Sequence, residues 1–178
     1  MKNTIALLLL AISAMGAWVQ EPMTTVPGID VPRYLGAWYE IAKFPNRFQK
    51  MCASNTSAQY SARPDGSLSV RNRCTDKDGK ISEVEGQARQ IGNVTSPKLE
   101  VRFAPAWLSF LPFVWGDYWV IDADADYQLV AVSEPKREFL WVLSRTPVVS
   151  AKAYDDLLTR LRAKSLDTGK LERTRHVP

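Results

Sequence analysis

Three groups of side chains in this sequence are of types that do chemistry: the single histidine His176, the cysteine pair Cys52 and Cys74, and the aspartates Asp122, Asp124 and Asp126. One histidine and two cysteines are too few ligands for a tetrahedral Cys/His zinc site, which excludes a zinc finger or zinc enzyme of that kind. Neither cysteine has a histidine near it in sequence, so thiol catalysis has no local base. His176 reads as part of a frayed tail, and the three aspartates read as a solvated turn, with a weak calcium loop as the alternative. No G-x-S-x-G elbow, H-E-x-x-H pair or Gly-rich phosphate loop occurs. The expectation is binding rather than catalysis: no enzyme, no catalytic residue, no metal and no cofactor.

The elements that must position a binding site follow from composition and pattern. With 178 residues, 46% of them hydrophobic and 24% charged, the chain is sized and composed for one globular domain. Its formal charge of +4 is spread without a block of like charges, so no nucleic-acid partner is expected. Residues 1–16 have the layout of a secretory signal: Lys2, an apolar run over 5–12, then Ser13, Ala14 and Gly16. Cleavage after Gly16 is the reading, an uncleaved anchor the alternative. No cysteine stands at this junction, so a lipid-modified N-terminal cysteine is not expected. The mature chain is expected in the periplasm, with outer-membrane association left open. In that oxidising compartment Cys52 and Cys74 read as a disulfide, with two free thiols as the other state.

Residues 17–32 read as a Pro-rich linker lying across the surface, with no helix, and residues 33–178 as the domain. From Trp38 onward the pattern has period two. Leu68, Val70, Asn72 and Cys74 share one face, as do Val84, Gly86 and Ala88, and again Leu99, Val101 and Phe103. Pro64-Asp65-Gly66 and residues 76–79, 93–97 and 122–126 supply turns. Eight strands are predicted, at about 37–44, 53–62, 67–75, 81–91, 97–104, 117–122, 127–133 and 138–146. Their short links predict an all-β fold, an eight-stranded antiparallel up-and-down barrel, with a β-sandwich as runner-up. Ser150 predicts an N-cap, and Tyr154, Leu157, Leu158 and Leu161 predict one amphipathic helix of about 15 residues packed outside. Residues 170–176 add a short strand.

The segment Tyr34-Leu35-Gly36-Ala37-Trp38-Tyr39-Glu40-Ile41-Ala42 resembles the G-x-W signature of lipocalins, closest to the bacterial lipocalins related to apolipoprotein D. Asp117-Tyr118-Trp119-Val120-Ile121-Asp122 through Tyr127 resembles the second family signature, with Ala-Asp-Tyr at 125–127 where Thr-Asp-Tyr is usual. Residues 140–147, Leu-Trp-Val-Leu-Ser-Arg-Thr-Pro, resemble the third. The resemblance implies that Arg145 crosses Trp38 at the closed end of the barrel, with Gly36 part of that structural signature. It also implies a cup for a small hydrophobic molecule, a fatty acid, lysophospholipid or similar lipid, in the cell envelope. A barrel filled by its own side chains and a lipid-modifying enzyme are the alternatives.

Parity predicts the cup's lining as Glu40, Ala58, Tyr60, Leu68, Val70, Val84, Leu99, Val101, Phe103, Tyr118, Val120, Val132, Phe139 and Trp141. Small Ala58, Gly86 and Ala88 are expected to leave room for the guest. Glu40, costly as a bare charge in such a wall, is expected to be paired with a basic group or protonated. Residues 104–115 carry no charge but hold Trp107, Phe110, Phe113 and Trp115. Strand alternation puts this link at the mouth, either as a lid or as an exposed patch for peripheral membrane contact or a homodimer.

Overall fold

The computed structural model describes residues 21–177; the predicted signal and the first residues of the linker lie outside the described residues. A short helix α1 (Val31–Tyr34) leads into strands β1 (Gly36–Lys43), β2 (Cys52–Ala62), β3 (Leu68–Asp76), β4 (Ile81–Gln90) and β5 (Lys98–Arg102). Then follow β6 (Gly116–Ala123), β7 (Leu129–Ser133), β8 (Leu140–Ser144), helix α2 (Ala151–Ala163) and a two-residue strand β9 (Glu172–Arg173). Each strand from β1 to β8 pairs antiparallel with the next. Because β1 also pairs with β8, through Glu40 opposite Leu143, the sheet closes into the predicted barrel.

Alternation survives where the ladders are regular. Leu68 stands opposite Ala88 and Val70 opposite Gly86, so Asn72 and Val84, opposite each other, face inward too. It fails at bulges. The irregularity between Val120 and Asp122 hands both Ile121 and Asp122 to the outer side, where Ile121 joins the core beneath α2 and Asp122 meets Arg160 of that helix. Asp122 is buried and accepts two bonds from Arg160, at 2.8 and 2.9 Å. That corrects the solvated-turn reading for this residue. Asp124 organises the turn instead, accepting from the backbone N–H groups of Gln128 and Leu129.

Helix α2 is capped by the Ser150 hydroxyl, which accepts from the Ala153 N–H, and it runs 13 residues rather than 15. Leu157 and Leu161 are fully buried against Ile41, Ala42, Ile121, Leu140 and Val142 on the outer wall.

Both ends of the described segment are built into the barrel. Met23 and Ile29 are buried, and Val26 and Ile29 donate to the carbonyls of Val120 and Thr95. The linker does turn helical at its end, contrary to expectation: Asp30 caps α1, and Pro32 sits in the first turn, where a missing N–H costs nothing. At the other end His176 is not in a frayed tail. Its Nε2 lies 2.8 Å from the Glu40 carbonyl, and its ring meets Tyr39 edge-on. Thr174 donates to the Ile41 carbonyl while the Arg175 carbonyl accepts from Asn55 of β2. The tail thus fills the gap between the upper parts of β1 and β2, which pair directly only from Gly36 to Tyr39.

Candidate functional site

The floor of the barrel is a stacked seal. Trp38 is fully buried, donates from Nε1 to the Tyr34 carbonyl at 2.8 Å, and carries the Arg145 guanidinium 3.8 Å from its ring centroid. Arg145 also donates to the carbonyls of Ala37 at 2.7 Å, Arg33 at 2.6 Å and Tyr127 at 3.3 Å. The charge is delocalised over a ring face and three carbonyls, which is how a guanidinium is kept at a partly dry site. Gly36 beside it has φ +96, and a Cβ there would stand 3.4 Å from an Arg145 nitrogen, so glycine suits the position on both counts.

Above the seal lies a dry layer of Tyr34, Tyr60, Leu68, Val70, Ala88, Leu99, Tyr118, Val120, Val130, Val132 and Leu143, all buried. The Tyr118 hydroxyl sits 2.8 Å from the hydroxyls of both Tyr34 and Tyr60. Burial pushes the Tyr60 phenol up to about 12 and the other two well above their usual range. Higher still the wall opens. Val84 and Phe103 face inward yet remain 46% and 40% exposed, and Ala58, Val101, Phe139 and Trp141 are half-buried. The small residues do not all leave room, however. Ala88 is sealed in the dry layer, and the Phe103 ring lies where a Cβ on Gly86 would fall, 2.6 Å away. Glycine here admits a ring from the neighbouring strand, not a guest.

Glu40 is buried in the upper cup with no basic partner in hydrogen-bond contact. Its carboxylate oxygens accept from Gln49 Nε2 and from Thr174 Oγ1. Burial raises its pKa, and the two hydrogen bonds oppose that rise. Of the two expected states, a basic partner or a protonated carboxyl, the first is not found and burial favours the second. Gln49 in turn accepts from Trp141 Nε1 at 2.9 Å and from Asn46 at 2.8 Å. Phe48 packs on Phe139, and Phe139 stacks on Trp141. Loop 44–51 is therefore folded onto the β8 side of the mouth. Gln49, Thr174 and Tyr34 carry no alternation signal, since two lie in loop or tail and the third in a helix. Only Tyr34 stood inside a sequence signature.

Cys52 and Cys74 are joined in a disulfide that ties the tops of β2 and β3 together at the rim. The lid reading of residues 104–115 does not match the structure. Strand β5 stops early, with Arg102 opposite Gln87, so residues 81–86 pair with β3 alone and the wall is lowered there. The link then folds back on the outer wall. Trp115 is held between the Arg89 and Arg102 guanidiniums, 4.1 and 5.1 Å from its ring centroid, and donates to the Ser109 carbonyl. A groove of about 470 Å³ runs beneath, between Ser109 and Trp115 and the closed-end turns at Asp65 and Asn93. Trp107, Phe110 and Phe113 are left 73, 75 and 79% exposed. Among the described residues no cluster of His, Cys, Asp and Glu is arranged to hold a metal, and no helix is long and apolar enough to cross a membrane.

Comparison with known proteins agrees with this architecture. A family model described as a lipocalin-like domain matches residues 29–176. Temperature-induced lipocalin-1 of Arabidopsis thaliana is 40% identical over 157 residues, 87% of this chain and 83% of that one. The outer membrane lipoprotein Blc of Escherichia coli K12 is 39% identical over 83% of this chain and 80% of its own. Mouse (Mus musculus) apolipoprotein D is 34% identical over 82% and 76%. Among solved structures, insecticyanin of the tobacco hornworm Manduca sexta superposes with a TM-score of 0.66 at 20% identity, covering 86% of this chain and 84% of that one, a likeness of fold. With its closed eight-stranded barrel, Trp38–Arg145 seal and matched family model, the chain belongs to the lipocalin family.

Proposed function

We propose that this protein binds a fatty acid, lysophospholipid or similar lipid in the upper half of its cup and carries it within the bacterial envelope, without transforming it. The observation that carries the reading is the open, apolar upper wall: Val84 and Phe103 point inward and stay accessible, as do Ala58, Val101 and Trp141. Burying an alkyl chain there gains about 0.8 kcal/mol per methylene, so about a dozen methylenes supply near 10 kcal/mol before the cost of association. The dry layer and the Trp38–Arg145 seal set the depth. The bacterial relative named an outer membrane lipoprotein supports an envelope location. The proposed route is a signal over residues 1–16, cleaved to leave the chain in the periplasm. Titration with a fluorescent fatty acid is expected to saturate at one site, to be reversed by lysophospholipid, and to return the lipid chemically intact. A chain that binds neither amphiphile would end this reading, and recovery of altered lipid would make the protein an enzyme.

The outward loop supports a second proposal, contact with a membrane surface. Residues 103–116 are uncharged, and their three exposed rings stand clear of the wall because Trp115 anchors the loop between two arginines. Loop 44–51 adds exposed Phe48 and Met51 with Arg47 and Lys50 and no acid, which suits anionic lipid. Trp107→Ser with Phe110→Ser is expected to lower affinity for anionic vesicles about tenfold or more, given about 1.5–3 kcal/mol for each large side chain buried. Unchanged vesicle affinity, with a loss of dimer in sedimentation, would make the loop a homodimer face instead.

A further inference from the structure

At the base of the open cup, the three buried tyrosines have more protons than acceptors. Tyr34, Tyr60 and Tyr118 each bring one O–H, and the Tyr118 hydroxyl is within 2.8 Å of the other two. Two hydrogen bonds use two of the three protons. Whichever way the chain of bonds runs, one phenolic proton is left over, and among the described residues no carbonyl, carboxylate or other side chain accepts from any of the three hydroxyls. A buried donor without an acceptor is unfavourable, so the cluster is poised to receive one. Of the three, Tyr118 keeps the most exposure, 9% against 1% for Tyr34 and 4% for Tyr60.

We propose that this cluster is a hydrogen-bond donor subsite at the floor of the cup, taking a neutral acceptor oxygen, a carbonyl or hydroxyl, at the leading end of a hydrophobic guest. The subsite rests on the carrier reading and narrows it. A carboxylate is disfavoured at this depth because apolar Leu68, Val70, Leu99 and Val130 pack round the cluster. Arg145 lies beyond the floor, committed to Trp38 and backbone carbonyls, and Lys43 at the rim is paired with Glu172. Fatty acids accordingly enter tail first, whereas ketones and alcohols enter with the oxygen leading. Burial holds all three phenols protonated across the physiological range, so the donor does not titrate away.

Two fluorescent probes separate the subsite from the cup. One is a naphthyl ketone whose emission moves to the red when its carbonyl accepts a hydrogen bond; the other is diphenylhexatriene, which has no polar atom. In the native protein the bound ketone is expected to show red-shifted emission despite its dry surroundings. Replacing all three donors together, Tyr34→Phe with Tyr60→Phe and Tyr118→Phe, is expected to shift that emission to the blue and to weaken the ketone about tenfold more than the hydrocarbon, the scale of one buried hydrogen bond. Equal losses for both probes, or blue emission from ketone tightly bound to native protein, would overturn the subsite and leave the carrier intact. If neither probe nor a fatty acid binds, the carrier reading falls and the subsite with it. The native emission decides the question even if the triple variant does not fold.

Discussion

Trp38→Ala is expected to lower stability by about 3–5 kcal/mol, the range for removing a fully buried large aromatic side chain. The residue has no accessible surface, and two separate parts of the chain depend on it. Its indole N–H fixes the end of α1 through the Tyr34 carbonyl, its one face packs against Tyr34, and Arg145 rests on its ring. Arg145→Met should cost less, yet it strips donors from the carbonyls of Arg33 and Ala37. A double-mutant cycle built from the two, read by urea unfolding, is expected to give a coupling of about 0.5–2 kcal/mol for the cation–π contact. A Trp38→Ala chain within 1 kcal/mol of the native protein would show that the closed end does not hold the barrel together.

Opening the disulfide is the second large effect. Cys52→Ser with Cys74→Ser is expected to destabilise the fold by about 3 kcal/mol, from the chain entropy of a loop whose ends are 22 residues apart. Native protein with and without reductant should show the same shift in urea midpoint. The top of β2 explains why the bridge matters locally. Its ladder with β3 slips twice, between Cys52 and Ser54 and between Ser54 and Ser57, and Asn55 has a left-handed φ of 54. Regular hydrogen bonding alone pins that stretch poorly, so the covalent link sets where the rim lies. A midpoint that does not move on reduction would mean that β2 is held by the tail and β3 without it.

Most of the wall was legible because a half-buried strand states its two faces in alternate residues. Leu68, Val70 and Ala88, or Val130 and Val132, needed nothing more. The Trp38–Arg145 seal was legible through the family resemblance. The failures have three physical sources. A bulge cancels parity, so Asp122 was read as turn although it is the buried partner of Arg160. Pairing between distant segments leaves no local trace, which hid the seating of His176 and the bonds of Thr174 and Gln49 to Glu40. Volume depends on register across strands, so Gly86 looked like vacant space when it is the seat of the Phe103 ring. The direction of loop 104–115 was open for a related reason. An uncharged aromatic stretch fits equally over the mouth or along the wall, and the choice is made by Arg89 and Arg102 gripping Trp115.

The tail wedged between β1 and β2 has a mechanical consequence. Lower down, those strands are zipped by their own ladder, but above Tyr39 they are spaced by Thr174, Arg175 and His176. Peeling away these few residues breaks only a handful of bonds and leaves the rest of the barrel standing, a local opening of far lower cost than global unfolding. The aperture can therefore breathe along this seam, and a bulky fusion at the C-terminus would pull on the stitch that governs its width.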